Sequence, residues 1–381
     1  MSRDRTLATS DMPLAAGARS GVFSAVKAGA DRYPALTGVR ALGAMVVFFD
    51  HFPLQPDSHL TLNVMAFFFA LSGFLIVRIY YEQAALNRNW LWKYFVNRFA
   101  RIYPVYFLLL SIAVILHHGF RPWVLFTNYT LTHALFSNVN FIIQPSWSLT
   151  VEECFYFLAP LFMVLARARN FLAAFAFACL LLLAALLVSR LHMGFLGTTP
   201  FVLSTTFFGN FLEFFAGVYI ALIVIRIERK GPIALPGSKC TAAGLAGVGI
   251  LAIAMVLVYR RASLDLPAIL LINNFLIPFP IALLYWGLIR ERTMLSRLLS
   301  SNALRLLGRG SYSFYLLHTL IIDHVSAPQL ASTGGYRPLY VVVTFIATWI
   351  ISILLFFAYE EPINVFLRER LKSKTFRTAE T

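Results

Sequence analysis

Acidic residues are scarce in this sequence: 17 Asp and Glu stand against 32 Lys and Arg, and charged residues make up only 13% of 381 positions. So little charge, with 59% hydrophobic residues and a mean hydropathy of +0.73, lies outside the range of soluble domains. The net charge of +15 would suggest a nucleic-acid partner in a soluble protein, but in a chain this apolar its distribution matters more than its sum, and no nucleic acid is expected. Cysteine is nearly absent. Cys154, Cys179 and Cys240 stand far apart, with neither metal-ligand spacing nor a disulfide framework, and read as small apolar residues; no metal is expected. No glycine-rich phosphate loop is present, which argues against ATP-driven chemistry within the chain. Residues 1–32 lack the apolar core and cleavage pattern of a signal peptide and read as a disordered, basic cytoplasmic tail.

Long apolar runs are what the chain does have. Ten of them suit membrane-crossing helices, at roughly 36–53, 62–80, 100–117, 151–166, 171–189, 207–226, 241–259, 268–289, 310–326 and 338–358. The expected fold is all-α, a polytopic transmembrane helical bundle over 33–366, followed by a basic cytoplasmic tail over 367–381. With the N-terminus inside, 26 Lys and Arg fall in inner segments and five in outer ones, a bias that puts both termini in the cytoplasm.

Against that apolar background the polar residues stand out. Arg40 and His51 are eleven positions apart, which at 100° and 1.5 Å per residue puts them on one helix face, roughly 16 Å apart along the axis. An intramembrane Arg is expensive unless it faces a polar interior and so reads as functional. His51 alone reads equally well as a hydrogen-bonded residue at a span's end. In the second span, Ser72 and Gly73 suit close helix packing, with a substrate contact as the alternative. Arg98 and Arg101, three apart, are neighbours on a face that can grip phosphate, although positive-inside anchoring explains them from charge alone. Past a long outer loop, Trp147 opens a helix on which Ser148 and Glu152 share a face at the depth assigned to His51. Glu152 there can orient an imidazole, or simply favour a helix N-terminus, a role that Glu153 fits better. Glu213 is a buried-acid candidate, and Pro278 with Pro280 is expected to kink the eighth span. Ser311, Tyr315 and His318 form one polar face too polar for lipid, with His318 either a ligand contact or a hydrogen-bonded strut. Glu360 lies near the inner surface among arginines, where an ion pair is the simpler role, and the segment from Arg368 onward is basic and solvated, in reach of anionic lipid.

In order, Arg40-(ten residues)-His51, Phe67-Phe-Phe-Ala-Leu-Ser-Gly-Phe-Leu75, Arg98-Phe-Ala-Arg101-Ile-Tyr-Pro104, Trp147-Ser-Leu-Thr-Val-Glu152-Glu153-Cys-Phe-Tyr156, Ser311-Tyr-Ser-Phe-Tyr-Leu-Leu-His318 and Tyr359-Glu360-Glu-Pro362 resemble the acyltransferase 3 family. The resemblance covers about 36–366 and implies an integral membrane O-acyltransferase of a bacterial inner membrane. Such an enzyme moves an acyl group, commonly acetyl from acetyl-CoA, to a hydroxyl of a surface polysaccharide, lipooligosaccharide or lipid-linked glycan. By the same resemblance Arg40 and His51 match the family's Arg-His pair, Arg98 and Arg101 its paired-arginine donor site, and Glu152 the acid of its Trp-Ser motif. Glu360 matches the acid closing its last helix, although Glu361 stands where a basic residue is often found, leaving the partner of Glu360 open. Some relatives carry an extracellular hydrolase-like domain, and none is expected in the residues that follow Pro362. The mechanism expected is that the arginines hold CoA phosphates at the inner face while His51, oriented by Glu152, acts as general base or transient acyl carrier. The rival reading is a transporter or flippase of a lipid-linked sugar, for which internal repeats would be expected and none is convincing.

Overall fold

The computed structural model describes residues 32–51, 60–191, 193–229, 238–262, 266–326 and 338–377. Among these it is helical, with an isolated bridge between Phe136 and Phe195 as its only β pairing. The long helices are α1 (Pro34–His51), α2 (Leu60–Tyr80), α3 (Arg88–His117), α4 (Trp147–Ala168), α5 (Phe171–Ser189), α6 (Phe207–Glu228), α7 (Lys239–Ala262), α8 (Pro278–Arg290), α9 (Asn302–Ile321), α10 (Pro338–Leu355) and α11 (Glu361–Arg377). The basic tail expected over 1–32 lies outside the described residues except for Arg32, and His59 and His192 lie outside them too.

Eight helices among the described residues are long and apolar enough to cross a membrane, which makes this a multi-pass membrane protein. The two expected spans missing from that set, 36–53 and 310–326, are helical but carry Arg40 and His51 in the first and His318 in the second, whose helix α9 also includes Arg305 and Arg309 ahead of the span. Their setting explains the polarity. α9 packs against α1, α3 and α10, and its turns from Gly310 to Leu320 are buried throughout, so α9 faces protein rather than lipid. The lipid-facing role falls to helices such as α5 and α7, where Leu172, Leu180, Leu187, Ile250 and Ile253 are exposed.

Close packing positions the site. α2 and α6 meet through two glycines: a Cβ at Gly73 would run into the backbone of Phe214, and one at Gly217 into the backbone of Ala70. The packing role expected for the Ser72-Gly73 pair therefore falls to Gly73, which leaves the Ser72 hydroxyl for other contacts. α3 begins twelve residues before the expected third span, at Arg88. The Asn87 side chain caps it by accepting from Trp90 N at 2.9 Å, and Pro104 does not end it. The interfacial helix and the span are thus continuous, which fixes Arg98 and Arg101 on one rigid rod. The eighth span is one helical run that carries a π-turn at Ile272–Leu276 just ahead of its prolines, with α8 starting at Pro278.

Past the last expected span the chain stays helical: a π-turn at Phe356–Glu360 passes into α11, which packs on α3, while residues 378–381 of the expected basic tail lie outside the described residues. Arg368 is consequently half-buried, within electrostatic reach of Arg98 and Arg101.

Candidate active site

α1, α2, α3, α4 and α9 enclose a cavity of about 140 Å³. Arg40, Ser72, Arg98, Arg101, Ser148, Glu152 and Tyr315 all line it, so most of the polar residues singled out in the sequence converge on one space. Tyr156 and Tyr312 join them, and Phe68, Phe69 and Leu75 supply apolar wall.

Glu152 sits at the centre of the polar wall. Ser72 donates to its Oε1 at 2.5 Å, and Tyr156 donates to its Oε2 at 3.2 Å. Ser148, Glu152 and Tyr156 follow one another at four-residue steps on a single face of α4. That four-residue spacing is the signal in the sequence that puts Tyr156 on the same face. At the next turn Ser148 Oγ and Tyr315 Oη are 2.7 Å apart, and each also lies within hydrogen-bond distance of Pro145 O, at 3.0 and 2.8 Å. These bonds tie α4 to α9. Glu153, one position round the helix, is not on the cavity wall, and it lies beyond the first turn of α4, so the helix-terminus role expected for it is not met either.

The three cavity arginines differ in what holds them. Arg101 is ion-paired to Glu360 at 2.6 Å, and Glu360, almost fully buried, also accepts from Ser313 Oγ at 2.6 Å. The ion-pair role expected for Glu360 holds, with Arg101 as the partner that the sequence left open. Arg98 donates to Tyr80 Oη at 3.2 Å and lies over the rings of Tyr80 and Tyr156 at 5.4 and 5.6 Å, while its Nε has no partner. Arg40 reaches the cavity without an ion pair or hydrogen-bond acceptor for its guanidinium among the described residues. A cation left unpaired beside a cavity is a ready partner for an anionic or carbonyl oxygen.

His51 does not sit where expected. Its Nδ1 is bonded to Val47 O at 2.9 Å, and its ring packs against His318 with centroids 5.0 Å apart. Glu152 is engaged by Ser72 and Tyr156, so the expected Glu152 contact to the imidazole is not made. The reason is rotational: α9 comes between the outer ends of α1 and α4 and supplies its own histidine and tyrosine to both neighbours. Neither His51 nor His318 lines the cavity, although Tyr315, which does, packs against His318 at 5.9 Å. Trp147 packs edge-on to Phe69 at 6.3 Å, off the cavity wall. Glu213 is fully buried and accepts from Asn273 Nδ2 at 3.1 Å, also away from the cavity. Among the described residues there is no group of three or more His, Cys, Asp or Glu able to hold a metal ion.

Known proteins resemble this chain over most of its length. A family model described as an acyltransferase domain matches residues 33–357. The peptidoglycan O-acetyltransferase OatA of Listeria monocytogenes is 27% identical over 362 residues, covering 87% of this chain and 56% of the relative. The O-acetyltransferase OatA of Staphylococcus aureus is 26% identical over 377 residues, covering 90% of this chain and 58% of the relative. The chain therefore spans little more than half the length of these curated relatives. No solved structure matches it significantly.

Proposed function

The chain belongs to the acyltransferase 3 family, and from that premise we propose that it transfers an acyl group, most specifically acetyl from acetyl-CoA, to a hydroxyl of a cell-surface glycan. Peptidoglycan is the first acceptor to test, because it is named in a relative's activity. The same proposal sets the protein in a bacterial inner membrane with both termini cytoplasmic, an orientation that the Lys and Arg bias supports.

The observation that carries this reading is the cavity itself, whose wall combines arginines from α1 and α3 with a hydrogen-bonded carboxylate and hydroxyls. At about 140 Å³ it is smaller than the pockets of ~300 Å³ and upward that enclose whole drug-sized ligands. It suits a narrow arm ending in an acyl group, with the bulky nucleotide end left outside. Arg98, with Arg101 and Arg368 nearby, supplies positive charge for the phosphates of such a donor. Arg40, unpaired at the wall and roughly 16 Å along α1 from His51, is suited to an anionic or carbonyl oxygen of the donor's arm rather than to the reacting carbonyl.

The acceptor hydroxyl gives its proton to His51 Nε2 as its oxygen bonds to the acyl carbon. The carbon–sulfur bond then breaks, and the thiolate leaves and takes up the proton from the imidazole. A transient acyl group on His51 is the two-step variant of the same chemistry. Glu152, held by Ser72 and Tyr156, acts on the cavity side as the fixed carboxylate that balances Arg40.

The test is to supply the purified full-length chain in lipid nanodiscs with radiolabelled acetyl-CoA and soluble peptidoglycan fragments. Label on the glycan that is released by mild base is the expected result. Accumulation of intact fragments inside sealed vesicles without label transfer would instead favour transport, and would overturn the acyl-transfer reading.

A further inference from the structure

His51 lacks the carboxylate that the sequence offered it, and the structure places another imidazole in that position. Its Nδ1 can bond the Val47 carbonyl only by donating, so the neutral ring leaves Nε2 as a bare lone pair. His318 repeats the pattern. It is fully buried, its Nδ1 donates to Tyr315 O at 2.7 Å, and its Nε2 has no partner. Buried acceptors without donors are rare in folded proteins and call for an explanation. Here the unpartnered nitrogen belongs to the ring in edge-on contact with His51, 5.0 Å away with planes at 72°.

The mounting of His318 is rigid. Phe314 lies parallel to it at 6.2 Å and 10°, and is itself stacked on Trp349 at 4.0 Å. Tyr315 flanks it at 5.9 Å, and the Tyr315 hydroxyl is anchored to Ser148 and Pro145 on the α4 side. A ring fixed in one tautomer by a backbone carbonyl, and in one orientation by aromatic neighbours, is a preorganised dipole.

We propose that His318 is the positioning residue for His51: its fixed, neutral imidazole holds the His51 ring and stabilises the imidazolium formed when His51 Nε2 takes the acceptor proton. This rests on the reading of His51 as proton acceptor given above. No bond to His318 forms or breaks. Its lone pair and dipole act at ring contact on His51, adding to the field of the Asp323 carboxylate, which lies within electrostatic reach of the same ring.

Two substitutions separate this role from packing. His318→Phe keeps an aromatic ring, somewhat larger, and the stacking but removes the lone pair and the donor to Tyr315 O. His318→Gln sacrifices stacking but keeps an amide oxygen that can lie near the position of Nε2. Label transfer from acetyl-CoA to peptidoglycan fragments is measured in nanodiscs, with thermal unfolding run in parallel. For His318→Phe we expect kcat to fall on the order of 10²-fold, at the low end of what acid–base assistance supplies, with KM for acetyl-CoA unchanged. His318→Gln should stay within about tenfold of wild type on the same scale. A structural strut gives the reverse order, Phe tolerated and Gln not, and that order overturns the proposal. If His318→Phe does not accumulate as folded protein, folded His318→Gln decides alone, and a loss on the order of 10²-fold overturns the proposal. His51→Ala distinguishes the two levels. Full activity in that variant removes the proton-acceptor reading itself, whereas an inactive His51→Ala beside an active His318→Phe removes only the partner.

Discussion

Ser72 and Gly73 are consecutive, yet the structure assigns one to the cavity and the other to the scaffold, so alanine at each should fail in a different way. Ser72 Oγ donates to Glu152 Oε1 at 2.5 Å and lines the cavity. A hydrogen bond to a charged acceptor contributes about 1.5–3 kcal/mol. Because water in the cavity can take the place of the lost hydroxyl, Ser72→Ala should cost the low end of that range, which corresponds to roughly a tenfold drop in kcat/KM. Its thermal stability should stay close to wild type. At Gly73 an added Cβ would lie 2.9 Å from the carbonyl carbon of Phe214 and closer still to its oxygen, so α2 and α6 must separate. Overpacking of this kind costs about 1–3 kcal/mol, and more where the obstacle is backbone. Gly73→Ala should therefore lower the unfolding temperature and the yield of folded protein, with any surviving enzyme near wild-type KM. Thermal unfolding in detergent, run beside the label-transfer assay, measures both effects. Unaltered unfolding of Gly73→Ala, or a Ser72→Ala that loses stability and keeps activity, would refute the assignment of the two faces.

Three further outcomes follow from the same geometry. Arg98→Ala should weaken binding of acetyl-CoA more than binding of a peptidoglycan fragment, and calorimetric titrations giving the opposite order would remove Arg98 from the donor site. Glu360→Gln leaves Arg101 without its carboxylate. Breaking buried pairs typically costs about 3–5 kcal/mol, lessened here because the Arg101 side chain keeps 26% of its exposure. The double variant with Arg101→Gln should recover part of that loss in thermal unfolding, and no recovery would count against the pair. Burial in the loop between α3 and α4 pushes His133 down to about 4, with Ser146 Oγ 3.1 Å from its Nε2. The unfolded chain then binds the extra proton between about pH 6.5 and 4, so stability is full above that window and falls as pH drops through it. His133→Asn should flatten this part of the curve of unfolding temperature against pH, and an identical curve would show that His133 contributes nothing to it.

What the sequence carried was everything local or periodic. Apolar runs of bilayer length gave the all-helical bundle, and helical spacing put Ser148 with Glu152, and Ser311 with Tyr315 and His318, on shared faces. Arg40 stood out because a lone cation among apolar residues is costly wherever the helix lies. The same local reading failed where chain direction and rotation decide. It stopped the third span at its polar end, because hydropathy does not distinguish an interfacial helix from the continuation of a span. It takes Arg368 for tail, because basic composition does not reveal that the last helix runs on through the π-turn at 356–360 and packs on α3.

Pairing between helices belonged to the tertiary structure alone. Sequence depth put His51 level with Glu152, but depth is one coordinate, and the rotation of each helix about its axis is set by how neighbouring surfaces interlock. The contacts at Gly73 and Gly217 fix α2 against α6, and burial of α9 against α1 brings His318 to His51 while Ser72 and Tyr156 take Glu152. One residue's position along a helix follows from counting; which neighbour it meets depends on side-chain packing summed over the whole bundle.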